Sequence, residues 1–297
     1  MATPCSHFLV GISPHTSREL TNKPEISFEF FPPKTERGVT NLNKVRGELD
    51  ALAPSFYSVT FGAGGGTREG TFDAVKSIIN SGGDAAPHIS CIGASKDSIR
   101  ELLRKYSDIG VKRLVALRGD RPSGMVELGD FAYANELVTF IRAETGDQFL
   151  IEVAAYPEYH PESADPVTDL LNFKRKVEAG AHSAITQYFF NADAYFALVD
   201  SAIQANIKVP IVPGIMPITN FVQLARFSDI CGAEIPRWLR SRLQQYQHDA
   251  DALKDFGAEV ITTLCDCLLE GGAPGIHFYT LNKANPTIEI CKRLELA

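Results

Sequence analysis

Apolar residues in this chain gather into eight short runs: EISFEFFP (25–32), FYSVTFG (56–62), APHISCIG (86–93), RLVALRGD (113–120), FLIEVAAYP (149–157), HSAITQYFF (182–190), VPIVPGIMP (209–217) and GIHFYTLN (275–282). Their length and their β-branched and aromatic content predict buried strands. Between them the apolar period changes to that of a helix. Residues 39–53 set Leu42, Val45, Leu49 and Leu52 on one stripe. Residues 95–110 carry Ser95 as a cap, Ile99, Leu102, Leu103 and Tyr106 as an apolar face, and Gly110 as a stop. Residues 165–180 open on Asp165-Pro166 and close on Gly180. Further helices are predicted over 70–82, 131–146, 191–206, 219–230, 236–248, 251–270 and 284–295.

Strand thus alternates with helix eight times, with short connections and no linker-like stretch. A doubly wound sheet and an eight-stranded barrel both satisfy that order. Glu29, Thr60, Arg118, Asp120, Tyr156, Gln187 and Asn282 decide between them, because each lies in the later half of its run, whereas His88 comes third in its own. Burying such groups costs free energy unless something pairs with them. A doubly wound sheet would gather them near one switch point, whereas a barrel gathers them at the C-terminal end of every strand. The expected fold is therefore α/β: a single-domain (β/α)8 TIM barrel with extra helices over residues 21–297. The helix before 251–270 is read as an elaboration after the seventh strand, and residues 1–20 as an arm or a capping helix. Within the strands, Ile26, Phe28 and Phe30 oppose Ser27 and Glu29, and Tyr57, Val59 and Phe61 oppose Ser58 and Thr60. Val115 and Leu117 oppose Ala116, Arg118 and Asp120. The larger apolar set of each strand is expected to face the helices, leaving a polar pocket floor in the lumen.

Composition narrows the function. A net charge of −7 argues against a nucleic-acid partner, and 44% hydrophobic with 22% charged residues is the balance of a globular protein. No apolar stretch is long enough to span a bilayer, and no basic region precedes the weak apolar patch at the N-terminus, so neither a membrane partner nor a signal peptide is expected. The six cysteines form no CxxC and no Cys/His group at zinc spacing. Reduced thiols in a cytoplasmic protein without a metal are the expectation.

Several motifs have two readings. The segment Gly62-Ala63-Gly64-Gly65-Gly66-Thr67 misses the GxGxxG spacing at Thr67 and has no Walker-type lysine, so it reads as a βα loop over the pocket. Glu29, among Phe28, Phe30 and Phe31, is either a structural carboxylate paired with an arginine or a proton donor whose pKa an apolar setting raises. Arg118-Gly119-Asp120 is a plain turn or a pair suited to an anionic cofactor and a hydrogen-bonded heterocycle. Asp169, Asn172, Arg175 and Lys176 share one third of a helix opposite Leu170, Phe173 and Val177; a solvated face is the ordinary explanation. The segment from Tyr156 to Glu162 is too specialised for an ordinary turn. Gln187 is a buried amide that needs a core partner or a ligand.

At FEFFPPKT, VALRGD, AAYPEYHPE, LLNFKRKVEAGA, ITQYFF, VPGIMPITNF and HFYTLN the chain resembles the methylenetetrahydrofolate reductases, in the same order from about residue 20 to the C-terminus. It is similar to the short bacterial type made of the catalytic domain alone, so regulation by S-adenosylmethionine through a further domain is not expected. The resemblance implies a (β/α)8 barrel with noncovalent FAD, NADH or NADPH as electron donor, and reduction of 5,10-methylenetetrahydrofolate to 5-methyltetrahydrofolate by ping-pong hydride transfer. It implies Glu29 as general acid, Asp120 as a carboxylate near both flavin and pterin, Gln187, Gln223 and Lys283 as folate contacts, and Thr60 as a nucleotide contact. The implied flavin set is Ala63, His88, Arg118, Gly119, Asp120, Tyr133, Ala134, Tyr156, His160, Asp169, Asn172, Arg175 and Lys176. Three positions depart from the family pattern: Phe61 stands for a tyrosine, Ser163 for an alanine, and Lys283 for an arginine whose bidentate fork it lacks. A homo-oligomer is expected. Two other classes stay open: a barrel flavoenzyme that oxidises an amino acid, and a flavin-free barrel acting as a lyase or a binder.

Overall fold

The computed structural model describes residues 24–61, 68–120 and 129–297. The expected N-terminal arm, the glycine-rich segment with Ala63, and residues 121–128 lie outside the described residues. The strands are β1 (Glu25–Phe30), β2 (Phe56–Val59), β3 (Ala85–Ser90), β4 (Arg113–Leu117), β5 (Leu150–Ala155), β6 (Ser183–Thr186), β7 (Ile211–Val212), β8 (Gly214–Ile215) and β9 (Gly275–Tyr279). They pair in the order β7-β6-β5-β4-β3-β2-β1-β9-β8, every pairing parallel.

The eight predicted strands become nine because Pro213, which has no N–H to give a ladder, parts the run 209–217 into β7 and β8. β7 pairs with β6 and β8 with β9, while Pro213 O accepts from His277 N at 3.0 Å. One broken segment therefore closes the barrel, and the (β/α)8 expectation holds. Ten helices accompany it among the described residues: α1 (Glu36–Leu49), α2 (Arg68–Asn80), α3 (Lys96–Asp108), α4 (Ala134–Thr145), α5 (Pro166–Glu178), α6 (Ala192–Gln204), α7 (Phe221–Cys231), α8 (Arg237–Gln245), α9 (Ala250–Glu270) and α10 (Asn285–Arg293).

Local chemistry sets their starts. Thr35 caps α1 by accepting from Gly38 N at 3.1 Å, so the helix begins ahead of its apolar stripe. Ser95 and Ser98 form a reciprocal capping box on α3. Asp165 accepts from Thr168 N at 2.8 Å, and Pro166 occupies the first position of α5.

The main core lies between the strands and the helices and contains Ile26, Phe28, Phe30, Tyr57 and Val59, as alternation predicts for β1 and β2. β4 is the exception. Leu114 and Ala116 join that outer core, while Val115 enters a small inner cluster with Phe56, Ala86 and Ile185, against which Leu117 and Tyr279 pack. The lumen has to be filled by volume, and beside the small Ala86 it takes the larger residues of β4. At its floor Arg113 pairs with Glu152, Ser183 Oγ donates to the same carboxylate, and the guanidinium lies 4.6 Å from the Phe56 ring centroid. At the other end the strands stop early. Arg118, Asp120, Tyr156, Gln187 and Asn282 fall just past them, in the loops that cover the C-terminal face.

Candidate active site

Two hollows meet at that face and share His88, Leu117, Ala154 and Tyr156. The inner one, of ≈ 330 Å³, reaches down to Glu29. Because Phe28 and Phe30 take the helix side of β1, Glu29 turns into the lumen. Its Oε2 lies 3.3 Å from His88 Nε2 and 4.0 Å from His277 Nε2. His277 is fully buried between Ser27 Oγ, 2.7 Å from Nδ1, and Ser58 Oγ, 3.2 Å from Nε2. Among the described residues no arginine or lysine lines this hollow, so none of them gives Glu29 the arginine partner of the structural reading.

Burial pushes the Glu29 carboxyl up to about 8, against a smaller downward pull from a hydrogen bond with Ser58. Burial also pushes His88 and His277 down to about 3. Near neutral pH the cluster is a protonated acid facing two neutral rings. His88 Nε2 is buried without a hydrogen-bond partner among the described residues. Such an arrangement can deliver a proton to a ligand and has no competing charge nearby.

The outer cleft is larger, ≈ 1450 Å³, and every described residue of the implied flavin set lines it. Arg118 makes a bidentate pair with Glu162 at 2.6 and 2.9 Å, and Glu162 N donates to His160 Nδ1 at 3.0 Å. The Tyr156 and His160 rings meet edge-on, 4.7 Å between centroids. On α5, Lys176 Nζ donates to Ala154 O at 2.5 Å, Arg175 donates to Asn172 Oδ1 at 2.8 Å, and Asp169 accepts from Ser163 Oγ at 2.8 Å. Burial pushes the Lys176 ammonium down to about 8. The polar stripe of α5 is therefore a cleft wall and not only a solvated face. Gly119 has φ +85°, and a Cβ there would collide with Ser90 Oγ, so only glycine brings the backbone this close to β3. The loop above is pinned where Glu158 accepts from Glu234 N at 2.7 Å.

The remaining site residues are more scattered. Gln187 lines the inner hollow, its Oε1 accepting from Tyr188 N at 3.0 Å. Asp120 is exposed in the outer cleft. Thr60 is buried just past β2, with Oγ1 unpartnered among the described residues, and lines neither hollow. Gln223, half-buried on α7, and Lys283, exposed beyond β9, also line neither. Sequence reasoning passed over His277 and gave Ser27 and Ser58 no role beyond the lumen side of their strands. The available signal was alternation, which sets His277 on the same side of β9 as Tyr279, opposite Ile276 and Phe278. Among the described residues no three His, Cys, Asp or Glu side chains gather as metal ligands, and no helix is long and apolar enough to cross a membrane.

A parallel barrel with a desolvated acid at its C-terminal face and a deep polar cleft alongside defines a (β/α)8-barrel enzyme. The chain belongs to the methylenetetrahydrofolate reductase family, whose profile matches residues 15–295, and is an enzyme of that kind. The 5,10-methylenetetrahydrofolate reductase of Escherichia coli is 42% identical over 279 residues, covering 93% of this chain and 92% of its own length. That of Buchnera aphidicola from Schizaphis graminum is 39% identical over 273 residues, covering 92% of each. Methylenetetrahydrofolate reductase (NADH) 1 of Arabidopsis thaliana is 37% identical over 284 residues, which cover 91% of this chain but 48% of the plant protein. Among solved structures, a Clostridium thermocellum protein described as binding two copies of 5-methyl-5,6,7,8-tetrahydrofolic acid has a TM-score of 0.66 at 18% identity, covering 92% of this chain and 93% of its own. That likeness shows a shared fold.

Proposed function

We propose that this chain reduces 5,10-methylenetetrahydrofolate to 5-methyltetrahydrofolate with hydride from NADH or NADPH, in two half-reactions that use one site in turn. The observation that carries the reading is Glu29, a carboxyl that burial keeps protonated up to about pH 8 in a hollow that no cation lines among the described residues. The outer cleft fits noncovalent FAD. Its ≈ 1450 Å³, the cations of Arg118, Arg175 and Lys176 for a pyrophosphate, Asp169 and Asn172 for hydroxyls, and the close approach at Gly119 all agree with that group. Ala63 completes the set. When bound, FAD supplies hydride carriage from the nucleotide to the one-carbon unit.

The chain's own residues do the rest. The family resemblance alone supports Thr60, which lines neither hollow, as a contact of the nicotinamide nucleotide; that nucleotide leaves before folate enters. Glu29 then gives its proton to a ring nitrogen of the folate imidazolidine; that C–N bond breaks, and the one-carbon unit becomes an iminium able to accept hydride. His88 and His277, neutral at working pH, do not compete as donors. Asp120 orients flavin and pterin at the mouth and Gln187 holds the pterin, while the family resemblance alone supports Gln223 and Lys283, outside both hollows, as contacts of the outer end of the folate. We place the protein in the cytoplasm as a homo-oligomer; the described thiols, three of five of them buried, support the first and the family resemblance the second.

Anaerobic mixing of the FAD-loaded protein with NADH or NADPH, followed by methylenetetrahydrofolate, separates the half-reactions by flavin bleaching and recovery. Glu29→Gln should slow recovery by about 10²–10⁴-fold and leave bleaching largely intact. Equal loss of both would remove Glu29 from the acid role. Asp120→Asn should change the folate half-reaction or the flavin potential, and no change in either would take it out of the site. A protein that stays colourless with added FAD would favour the flavin-free barrel.

A further inference from the structure

β1 and β9 run in register as far as Glu29 opposite Tyr279. There the ladder stops. β1 runs into Pro32-Pro33, which offer no N–H, and β9 turns through Leu281 and Asn282, both left-handed with φ +52° and +56°. Asparagine visits that region readily; leucine does so only where its surroundings hold it.

Side-chain bonds take the place of the missing ladder. Thr280 Oγ1 donates to Glu29 O at 2.6 Å and accepts from Asn282 N at 3.2 Å. Asn282 Oδ1 accepts from Phe31 N at 2.8 Å, and its Nδ2 donates to Phe31 O at 2.9 Å. From the other side, Thr60 N donates to Phe30 O at 3.0 Å. All three carbonyls from Glu29 to Phe31 are thus tied, two of them by the corner after β9. Phe31 and Leu281 line the inner hollow together with Glu29 and Tyr279.

We propose that the corner Thr280-Leu281-Asn282 is a positioning device for proton transfer: Asn282 fixes the backbone that follows Glu29 and holds Phe31 and Leu281 as apolar walls around its carboxyl. This rests on the reading of Glu29 as the acid. A clamp serving the fold alone could sit anywhere along β1 and β9. This one is confined to the residues that flank Glu29, and it keeps a strained leucine at the hollow's edge. The groups facing Glu29 are His88 from β3, Ser58 from β2, and His277 and Tyr279 from β9. None of them is a cation at neutral pH, so what sets its proton affinity is how dry the hollow stays.

The test uses the FAD-loaded protein with Asn282→Ala and with Asn282→Asp, which keeps an acceptor for Phe31 N and loses the donor to Phe31 O. Asn282→Ala should slow the folate half-reaction by about ten- to hundredfold and slow flavin reduction by the nucleotide far less, with Asn282→Asp between it and the parent. A second readout is independent of turnover: the C=O stretch of the protonated carboxyl in infrared difference spectra, assigned by its loss in Glu29→Gln. Its titration midpoint should move down from about 8 in Asn282→Ala. Equal slowing of both half-reactions, or an unmoved midpoint, would overturn the inference. Should neither Asn282 variant fold, Leu281→Gly keeps the amide bonds and removes a wall, and it should lower the same midpoint; no shift overturns the proposal. Folate reduction retained by Glu29→Gln would sink both this inference and the function it rests on. An inactive Glu29→Gln beside an Asn282→Ala of parent rate and midpoint would sink this inference alone.

Discussion

Among the described residues two carboxyl groups are buried in one lumen, and only one of them has a cation. Glu152 on β5, with its side chain 1% exposed, pairs with Arg113 of β4 and accepts from Ser183. Glu29 on β1, with its side chain 12% exposed, faces two imidazoles and a serine. Burial raises the pKa of both. At Glu152 the charge and hydrogen bond of Arg113 oppose that rise; at Glu29 only the Ser58 hydrogen bond does. Depth of burial therefore does not tell the structural carboxylate from the proposed acid, since Glu152 is the deeper. The partner tells them apart. A carboxylate with a bonded guanidinium is satisfied and closes the barrel floor. A carboxyl without one keeps its proton and has it to give at the open end.

The comparison breaks if the cation does not matter, and Arg113→Leu tests that. It leaves Glu152 buried with only Ser183, at a cost of about 3 kcal/mol near pH 8. Glu152 can escape the cost by keeping its proton, so the loss should shrink as pH falls toward 4.5, its ordinary value. Denaturant unfolding at the two pH values checks this; a loss independent of pH would show that Arg113 acts through packing on Phe56 and not through its charge. Replacing both partners, Arg113→Leu with Glu152→Leu, should return stability to within about 1 kcal/mol of the parent, because no uncompensated charge remains. A double variant as unstable as Arg113→Leu would mean that the pair itself holds the floor together.

The sequence makes one half of this comparison easier to read than the other. Periods of two and 3.6 fix the alternation of strand and helix, and polar residues late in most runs mark the open end of the barrel. They do not disclose that Pro213 splits one strand between two neighbours, since that follows from closing the circle. Nor does one strand's alternation say which side of β4 fills the lumen; the small Ala86 opposite decides it. His277 escapes notice between Ile276 and Phe278 because its serine partners lie 250 and 219 residues away in the chain. The outer cleft draws on β3, the turn after β4, the start of α4, the loop after β5 and the polar side of α5. No local pattern joins such elements, so the resemblance to a family carried that assignment, and the structure brings the residues to one cleft.

The stored proton can also be measured directly, through the pH dependence of stability at Glu29. Glu29 titrates near 4.5 in the unfolded chain and at about 8 in the folded one. Between those values the folded protein holds a proton that the unfolded chain has released, so raising the pH through this window favours unfolding; above about 8 the cost is constant. Glutamine removes that term. Relative to the parent, Glu29→Gln should show no gain below about pH 4.5, a gain that grows up to about pH 8, and a plateau beyond, worth roughly 2–4 °C in Tm for each kcal/mol recovered. His88 and His277 act in the opposite sense: held down at about 3, they bind fewer protons when folded than when unfolded, so their contribution rises from pH 3 to 6.5. Both proteins keep these histidines, so that rise cancels from the difference to first order. A difference between the Tm curves that is flat from pH 4 to 9 would mean that Glu29 has an ordinary carboxyl pKa, and it would then be no better placed than Glu152 to give up a proton.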